Sequence, residues 1–218
     1  MREHELTWAD RLTGGVAAVV AVASLLVASF LVPSAVDAVA TNEQQGLDVV
    51  RVTAAHPTAI RVGFLLVVLG LLCLGPAVRG LRALAPDRGR VATGVGWRLV
   101  AVGSAAGAVG NAYATLVLPS TAGLDPAVMA TFVHRHETSA ASFAILAFYA
   151  LLPIGGVLLT VGLIRARTVP WWQPLLVGIP VVAFMPAPLG PVSAVLALAA
   201  GAGLALLWRA VPAALPGS

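Results

Sequence analysis

The chain has 218 residues, of which 59% are hydrophobic and only 10% are charged. A soluble domain is about half apolar and about a quarter charged, so this composition excludes a soluble globular protein, a disordered chain and a disulfide scaffold. All thirteen basic residues are arginine, and the formal net charge is +4. The arginines stand at the ends of apolar runs, which is typical of a membrane topology signal and predicts no nucleic-acid partner.

Six apolar runs predict transmembrane helices, because about 20 apolar residues cross the ~30 Å hydrocarbon core of a bilayer. The runs are apolar on all sides, without the alternation of a membrane β-barrel. We therefore predict an all-α polytopic membrane protein, a bundle of six transmembrane helices. Prolines interrupt the fifth run, which predicts a bent, short or re-entrant segment there. The predicted spans are Leu12–Val32, Thr58–Leu81, Trp97–Leu118, Ser139–Ile164, Val169–Ala187 and Leu189–Trp208.

The positions of the arginines predict the orientation of the bundle. With the N-terminus in the cytoplasm, ten arginines lie at the inner face and only Arg51, Arg61 and Arg135 at the outer face. All five tryptophans fall at the same inner interface, where amphipathic rings are favoured. We predict a multi-pass protein of the bacterial plasma membrane with both termini cytoplasmic, including a short tail over residues 210–218. A signal peptide cleaved at Ala38-Val39-Ala40 is disfavoured, because the preceding apolar run exceeds the 7–15 residues of such a leader.

Two predicted outer loops, about Pro33–His56 and Pro119–Thr138, hold the outward-facing polar residues. In the second loop, Asp125-Pro126 is typical of an N-cap followed by proline at the first helical position. This pattern predicts a short helix from Pro126 to about His136, lying on the outer membrane surface as an interfacial helix. Thr138 or Ser139 then caps the fourth span. His134 points to the opposite side of the short helix from its predicted apolar face, which contains Val128, Met129, Phe132, Val133 and His136.

Histidines near the outer ends of two spans are the candidate cofactor ligands. His56 precedes the second span, and His134 and His136 precede the fourth. Neutral imidazoles suit zinc, copper or haem iron, and histidines at the ends of facing helices can hold such a group between them. The pattern leaves open a haem- or divalent-metal-containing redox protein, beside the simpler interpretation of interfacial polar residues in water. The single Cys73 lies inside an apolar run and predicts a small buried hydrophobe.

Further polar residues at the outer half are candidates for ligand binding. Arg61 stands one turn inside the second span, where it either snorkels, forms a structural ion pair or binds an anionic substrate or lipid head. Asn111 is the only carboxamide deep inside a span, and such residues often hydrogen-bond a neighbouring helix. Tyr113 and Glu137 complete the candidate ligand-binding set. The acidic residues available to pair with Arg61 are Asp37, Glu43, Asp48 and Glu137.

The sequence contains none of the motifs of the large enzyme classes. It has no Walker motif, nucleophile elbow or Rossmann glycine pattern, so we predict no enzymatic activity. It also has no ionisable residue near the middle of a span, which a proton-coupled pump or ion exchanger normally needs. A small transporter remains an alternative because of an echo between two hairpins. At one constant offset, Thr93, Trp97 and Gly103 match Thr168, Trp172 and Gly178.

Small residues predict how the spans pack. Gly103-x-x-x-Gly107 and Ala106-x-x-x-Gly110 allow close approach of helix backbones, so the third span is predicted to be central in the bundle. The same residues leave a homodimer open, although packing within the chain is favoured. In the fourth span, Pro153 and the two glycines that follow predict a kink near the middle.

Several short motifs occur along the chain, and their order is informative. They are His56-Pro57 with Arg61–Phe64, Gly70 with Gly75-Pro76, Leu81–Leu84, Gly123–Pro126 and Arg165–Trp171. Together they resemble a group of small six-helix membrane proteins of high-GC Gram-positive bacteria, classed as domains of unknown function. The resemblance covers about Leu12–Trp208 and implies fold and location, but no activity and no catalytic residues. The His134–Glu137 stretch departs from it, since an acidic, histidine-poor segment is expected there.

The sequence therefore leads to a first hypothesis of a non-enzymatic membrane protein. It would bind a lipid, a small molecule or a partner subunit, such as a membrane protein or a second copy, at its outer-leaflet face. The absence of catalytic motifs and the concentration of polar residues in the outer loops motivate this hypothesis.

Overall fold

The computed structural model describes residues 8–32, 43–118, 124–184 and 189–211, and these ranges are helical with no strand. Asp37, the Ala38–Ala40 site and the tail from residue 212 lie outside them. A 3₁₀ turn, Gly80–Leu84, follows the third helix. The helices are α1 (Trp8–Leu31), α2 (Glu43–Ala55), α3 (Pro57–Arg79), α4 (Arg90–Leu116), α5 (Pro126–Glu137), α6 (Ala140–Tyr149), α7 (Leu151–Ala166), α8 (Trp172–Phe184) and α9 (Pro191–Ala210).

Four helical segments are long and apolar enough to cross a membrane, which makes this an all-helical protein of the membrane type. The four are Asp10–Leu31, Pro57–Leu84, Ala140–Ala166 and Pro191–Ala210, and a further apolar helix, Trp172–Ala183, is shorter.

The predicted kink of the fourth span is an interruption at Ala150, between α6 and α7. Pro153 has no N–H to donate to the carbonyl of Tyr149, so the helix breaks one turn before the proline.

The long helices pack in a closed ring. α1 packs on α3, α3 on α4, α4 on both α6 and α7, α7 on α8, α8 on α9, and α9 returns to α1. Each helix turns its remaining face outward and exposes large apolar side chains, among them Val19 at 69%, Val109 at 61% and Val195 at 64%. A continuous exposed apolar surface of this kind is unfavourable in water and favourable in contact with lipid.

Small residues at every seventh position allow the helices of the ring to approach closely. A seven-residue repeat corresponds to 3.5 residues per turn and favours left-handed packing of neighbouring helices. Where α4 crosses α7, a Cβ on Gly96 would lie 2.5 Å from the backbone nitrogen of Leu159, so only hydrogen fits there. The repeat comprises Gly14, Ala21 and Ala28 in α1, Gly63, Gly70 and Ala77 in α3, Gly89 at the N-cap of α4 with Gly96, Gly103 and Gly110 inside it, and Gly155 and Gly162 in α7.

The predicted central position of the third span is not seen, because α4 packs on α3 and on the segment formed by α6 and α7, which gives it two neighbours like the other members of the ring. Gly103 faces Leu152, and Gly107 faces the ring of Tyr149. These two glycines therefore serve packing within the chain.

The start of α1 and the end of α9 lie at the same end of the ring, which we call the terminal end. The Arg11 guanidinium donates to the Val211 carbonyl. The indole Nε1 of Trp208 donates to the Ala77 carbonyl at 3.0 Å. The ring of Trp208 lies so close over Gly14 and Gly80 that a Cβ on either would overlap it. Trp208 thus joins α9 to α1 and α3.

The two hairpins related by the internal echo differ in form. α4 has 27 residues, whereas its counterpart α8 has 13. The matched threonines also differ, since Thr168 donates to the Leu84 carbonyl at 2.5 Å, while the buried hydroxyl of Thr93 makes no hydrogen bond within the described ranges. The echo therefore marks no shared structural role.

Replacing Thr93 by valine is expected to stabilise the protein by about 1 kcal/mol, because a buried hydroxyl without a partner is removed and the shape is kept. The matched control is Thr160→Val, which deletes the hydroxyl that donates to the Gly156 carbonyl at 2.8 Å and should cost about 1 kcal/mol. Unfolding in mixed detergent micelles measures both changes. Equal effects of the two substitutions would show that the Thr93 hydroxyl has a partner after all.

Candidate functional site

The first of the two predicted outer loops contains a helix where an irregular segment was expected. The expectation of a loop over Pro33–His56 was wrong for residues 43–55, which form α2. Glycine and β-branched residues give this segment a low helix propensity, and its packing against α5 compensates. A Cβ on Gly46 would lie 2.8 Å from the Ala130 carbonyl oxygen. The buried face consists of Gly46, Val49, Val50 and Thr53.

The second predicted outer loop contains a helix, α5, which spans Pro126–Glu137. The Asp125 carboxylate caps it by accepting from the backbone N–H groups of Ala127 at 2.8 Å and Val128 at 3.3 Å. At the next helix start, Ser139 is the N-cap of α6 and accepts from the Ser142 N–H at 3.3 Å. α2 and α5 pack on each other, and we call this pair the cap and its side of the ring the cap end.

The spacing predicted that the apolar residues of α5 share one face, but in the structure they divide into a buried and an exposed set. Met129 and Val133 are buried, at 8% and 0% exposure, whereas Val128 and Phe132 are exposed, at 64% and 46%. The reason is α2, which the sequence analysis lacked: it covers one side of α5 and leaves the other open. The cap therefore has its own small core and a separate exposed apolar stripe.

His136 anchors the cap to the ring of long helices. Its imidazole stacks on the ring of Tyr113 in α4, with ring centroids 3.6 Å apart and planes at 17°. Phe132 lies on a nearly parallel plane at 6.5 Å. The His136 carbonyl accepts from the Ser142 hydroxyl in α6 at 2.7 Å. Burial lowers the pKa of His136, so the stacked imidazole favours its neutral form.

The three candidate histidines occupy different surroundings. His56 is exposed at the start of α3, His134 is half-buried on α5, and His136 lies on Tyr113. Within the ranges that the structure describes, no three histidine, cysteine, aspartate or glutamate side chains are grouped to hold a metal ion. The predicted metal or haem ligands are thus not brought together as a three-ligand group.

The remaining candidates are separate as well. Arg61 is exposed, and the candidate partner Asp48 lies 3.9 Å from Arg51 instead. The side chains of Glu43 and Glu137 lie outside the described part. Asn111 donates from Nδ2 to the Gly107 carbonyl at 2.8 Å, which corrects the expectation of a bond to a neighbouring helix. Its own helix offers the nearest carbonyl one turn away, and this satisfies the amide in apolar surroundings.

Sequence reasoning singled out Tyr113 and His136 separately and missed their contact. Tyr113 stands near the end of α4, and His136 precedes α6, which packs on α4. Adjacency of the third and fourth predicted spans at their predicted outer ends was the signal that could have paired them. Comparison with protein-family models, with curated proteins and with solved structures gives no match.

Acidification is expected to destabilise the protein through His136. Because the pKa of His136 is lowered in the folded state, the unfolded state binds more protons between that pKa and the ordinary value near 6.5. The contribution of the neutral His136 to stability is therefore complete above about pH 6.5 and is lost as the pH falls toward and through the lowered pKa. Melting temperatures between about pH 8 and pH 5 test this. His136→Gln should flatten the dependence, whereas His56→Gln at an exposed site should leave it; an undiminished slope in His136→Gln contradicts the assignment.

Proposed function

We propose that this chain is an integral membrane protein that crosses the bilayer six times, as α1, α3, α4, α6 with α7, α8 and α9. Four of these segments are, by themselves, long and apolar enough to cross a membrane. α4, with 27 residues, measures about 40 Å at ~1.5 Å per residue. It packs between α3 and α7, which belong to two of those four segments. A helix of that length between two spans crosses the same layer.

The positions of the start of α1 and the end of α9 support a crossing by α8. The start of α1 and the end of α9 are joined at the terminal end by the Arg11 bond to Val211, so the number of crossings is even. Without α8, the other segments make five crossings and would separate these ends. α8 has 13 residues, about 20 Å. This short length agrees with the short or bent segment that the prolines of the fifth run predict.

Charge supports an orientation with the terminal end in the cytoplasm of a plasma-membrane protein. Only Arg51, Arg61 and Arg135 stand at the cap end among the described arginines. By the positive-inside rule, the side richer in arginine is cytoplasmic, and the cap is then on the outside. The described arginines at the terminal end are Arg11, Arg79, Arg82, Arg88, Arg90, Arg98, Arg165, Arg167 and Arg209.

We further propose that the protein is a non-enzymatic binding protein whose cap binds lipid of the outer leaflet. The observation that carries this is an exposed apolar stripe at four-residue spacing: Val128 and Phe132 on α5 are exposed at 64% and 46%, and Leu124, just before this helix, at 58%. α6, which follows directly, continues it with Phe143 at 60% exposure. An extramembrane helix with such a stripe lies in the interface, with its apolar side about 5–10 Å into the boundary of headgroups and acyl chains.

Spin labels on α5 test the lipid contact. In a Cys73→Ala background in lipid nanodiscs, a label at Phe132→Cys should be accessible to oxygen and protected from a water-soluble nickel complex. The matched label at Ala127→Cys, at an exposed position of the same helix about 140° around its axis from Phe132, should be accessible to nickel. Equal nickel access at both sites would show that the cap stands clear of the bilayer. Protection of the label at Phe132→Cys from oxygen as well would replace the lipid by a second protein copy.

Two other hypotheses gain no support from the described residues. The haem or metal alternative needs ligands that converge, and His136 is instead stacked on Tyr113. The transporter alternative used the internal echo, whose two hairpins differ in form. The resemblance to the six-helix proteins of unknown function stays a prediction.

A further inference from the structure

Two turns at the terminal end are fastened to each other. One joins the 3₁₀ turn to α4 over residues 85–89, and the other joins α7 to α8 over residues 167–171. Gly89, at φ 85°, lies so close to α7 that a Cβ there would overlap the Gly162 carbonyl oxygen. Across the two turns, the Thr168 hydroxyl donates to the Leu84 carbonyl at 2.5 Å. These contacts fix the positions of the two turns relative to one another.

Arginines concentrate on the two turns and on the helix ends beside them. Arg88, Arg90, Arg165 and Arg167 are all exposed, and the only acidic residue between positions 84 and 90 or 162 and 171 is Asp87. In the ranges covered by the structure, no carboxylate lies within ion-pair distance of Arg88, Arg165 or Arg167. The fastened backbone therefore holds like charges near one another, an arrangement that an anion would stabilise.

Arg167 occupies a conformation that disfavours a side chain. Its φ is 56°, and no other non-glycine residue in the described ranges has a positive φ. The position directly after a helix in this conformation usually holds glycine, which avoids the steric cost of a Cβ. An arginine retained at that cost is consistent with a use for its guanidinium.

Two exposed indoles stand at the end of the second turn and at the start of α8. Trp171 and Trp172 are exposed at 65% and 44%. Such rings favour the level of the lipid headgroups, so they place the arginines of the two turns beside phosphate groups of the membrane. Guanidinium groups bind phosphate oxygens in a bidentate manner.

We propose that the two turns form a binding site for the phosphate groups of an anionic phospholipid. The site uses Arg88, Arg90, Arg165 and Arg167, with the indoles of Trp171 and Trp172 against the acyl chains. Basic sites between spans on the cytoplasmic side suit such headgroups. The inner leaflet as the source of the lipid rests on the proposed orientation, whereas the lipid class follows from the arginines alone.

Lipid binding by the purified protein in detergent tests the site, with cardiolipin, phosphatidylglycerol and phosphatidylcholine as probes and native mass spectrometry as the readout. About 1 kcal/mol per arginine corresponds to about five-fold in affinity. Arg165→Gln with Arg167→Gln should therefore weaken cardiolipin binding by about 25-fold. The control, Arg79→Gln with Arg209→Gln, removes the same charge from exposed positions at the same end and should change binding by less than about three-fold.

Each other outcome counts against the site. Equal weakening in both double variants would show a diffuse attraction of the whole basic end. Binding of phosphatidylcholine as strong as that of cardiolipin, or equal thermal stabilisation by inorganic phosphate, would overturn the anionic-lipid assignment. Arg167→Gly separates charge from backbone strain: it should raise the melting temperature without lipid and weaken cardiolipin binding by about five-fold. Because binding in detergent does not depend on orientation, its failure is distinct from a failure of the proposed topology.

Discussion

Gly96→Ala is expected to lower the free energy of unfolding by about 3 kcal/mol, within the range for overpacking a close contact. The added methyl group would meet the Leu159 nitrogen at 2.5 Å and the Gly155 carbonyl oxygen at 2.8 Å. Both are backbone atoms of α7, so no side-chain rotation relieves the contact and the two helices must separate. Unfolding in mixed micelles of a mild detergent and dodecyl sulfate measures the loss.

Gly94→Ala is the matched control, two residues away in the same helix. A Cβ at Gly94 meets no atom within 4 Å, and alanine raises helix propensity by up to about 1 kcal/mol. We expect this variant to be as stable as the original chain or more stable. Similar losses in the two variants would show that the close crossing of α4 and α7 is wrong.

Trp208→Ala is expected to cost about 3–5 kcal/mol, as for other large packed aromatic side chains. The indole covers Gly14 and Gly80, and its Nε1 donates to the Ala77 carbonyl. Its removal leaves a cavity among α1, α3 and α9 and an unpaired acceptor at Ala77. The same unfolding titration measures the change.

Two variants make the Trp208 prediction specific. Trp171→Ala removes an indole that is 65% exposed and should cost less than about 1 kcal/mol. Trp208→Phe keeps most of the packing and loses the hydrogen bond, at about 1 kcal/mol. If Trp208→Ala costs no more than Trp171→Ala, Trp208 does not hold α9 to α1 and α3.

The long helices could be predicted from the sequence because a lipid-facing helix must be apolar over its whole length, and such runs are visible without knowledge of neighbours. Their packing was predicted less well. The four-residue spacing of Gly103 and Gly107 was recognised, whereas the seven-residue spacing of Gly89 and Gly96 was overlooked. That longer repeat sets the crossing of α4 and α7, and a count of glycine spacings would have revealed it.

The cap was predicted only where a local signal exists. Asp125-Pro126 starts α5 through a side-chain cap that any sequence reader can recognise. α2 has no such signal, and its helix depends on packing between distant segments, such as Gly46 on Ala130. The stack of Tyr113 on His136 also depends on this tertiary arrangement. The candidate residues were therefore foreseen, while their partners were not.

Single-cysteine labelling tests the proposed six-crossing topology most directly. In a Cys73→Ala background, intact cells expressing Arg135→Cys, Pro191→Cys or Arg165→Cys are treated with a membrane-impermeant maleimide. We expect labelling at Arg135→Cys on the cap and at Pro191→Cys after α8, and labelling at Arg165→Cys only after the cells are lysed. Labelling of Arg165→Cys in intact cells would reverse the orientation, and protection of Pro191→Cys until lysis would show that α8 does not cross the membrane.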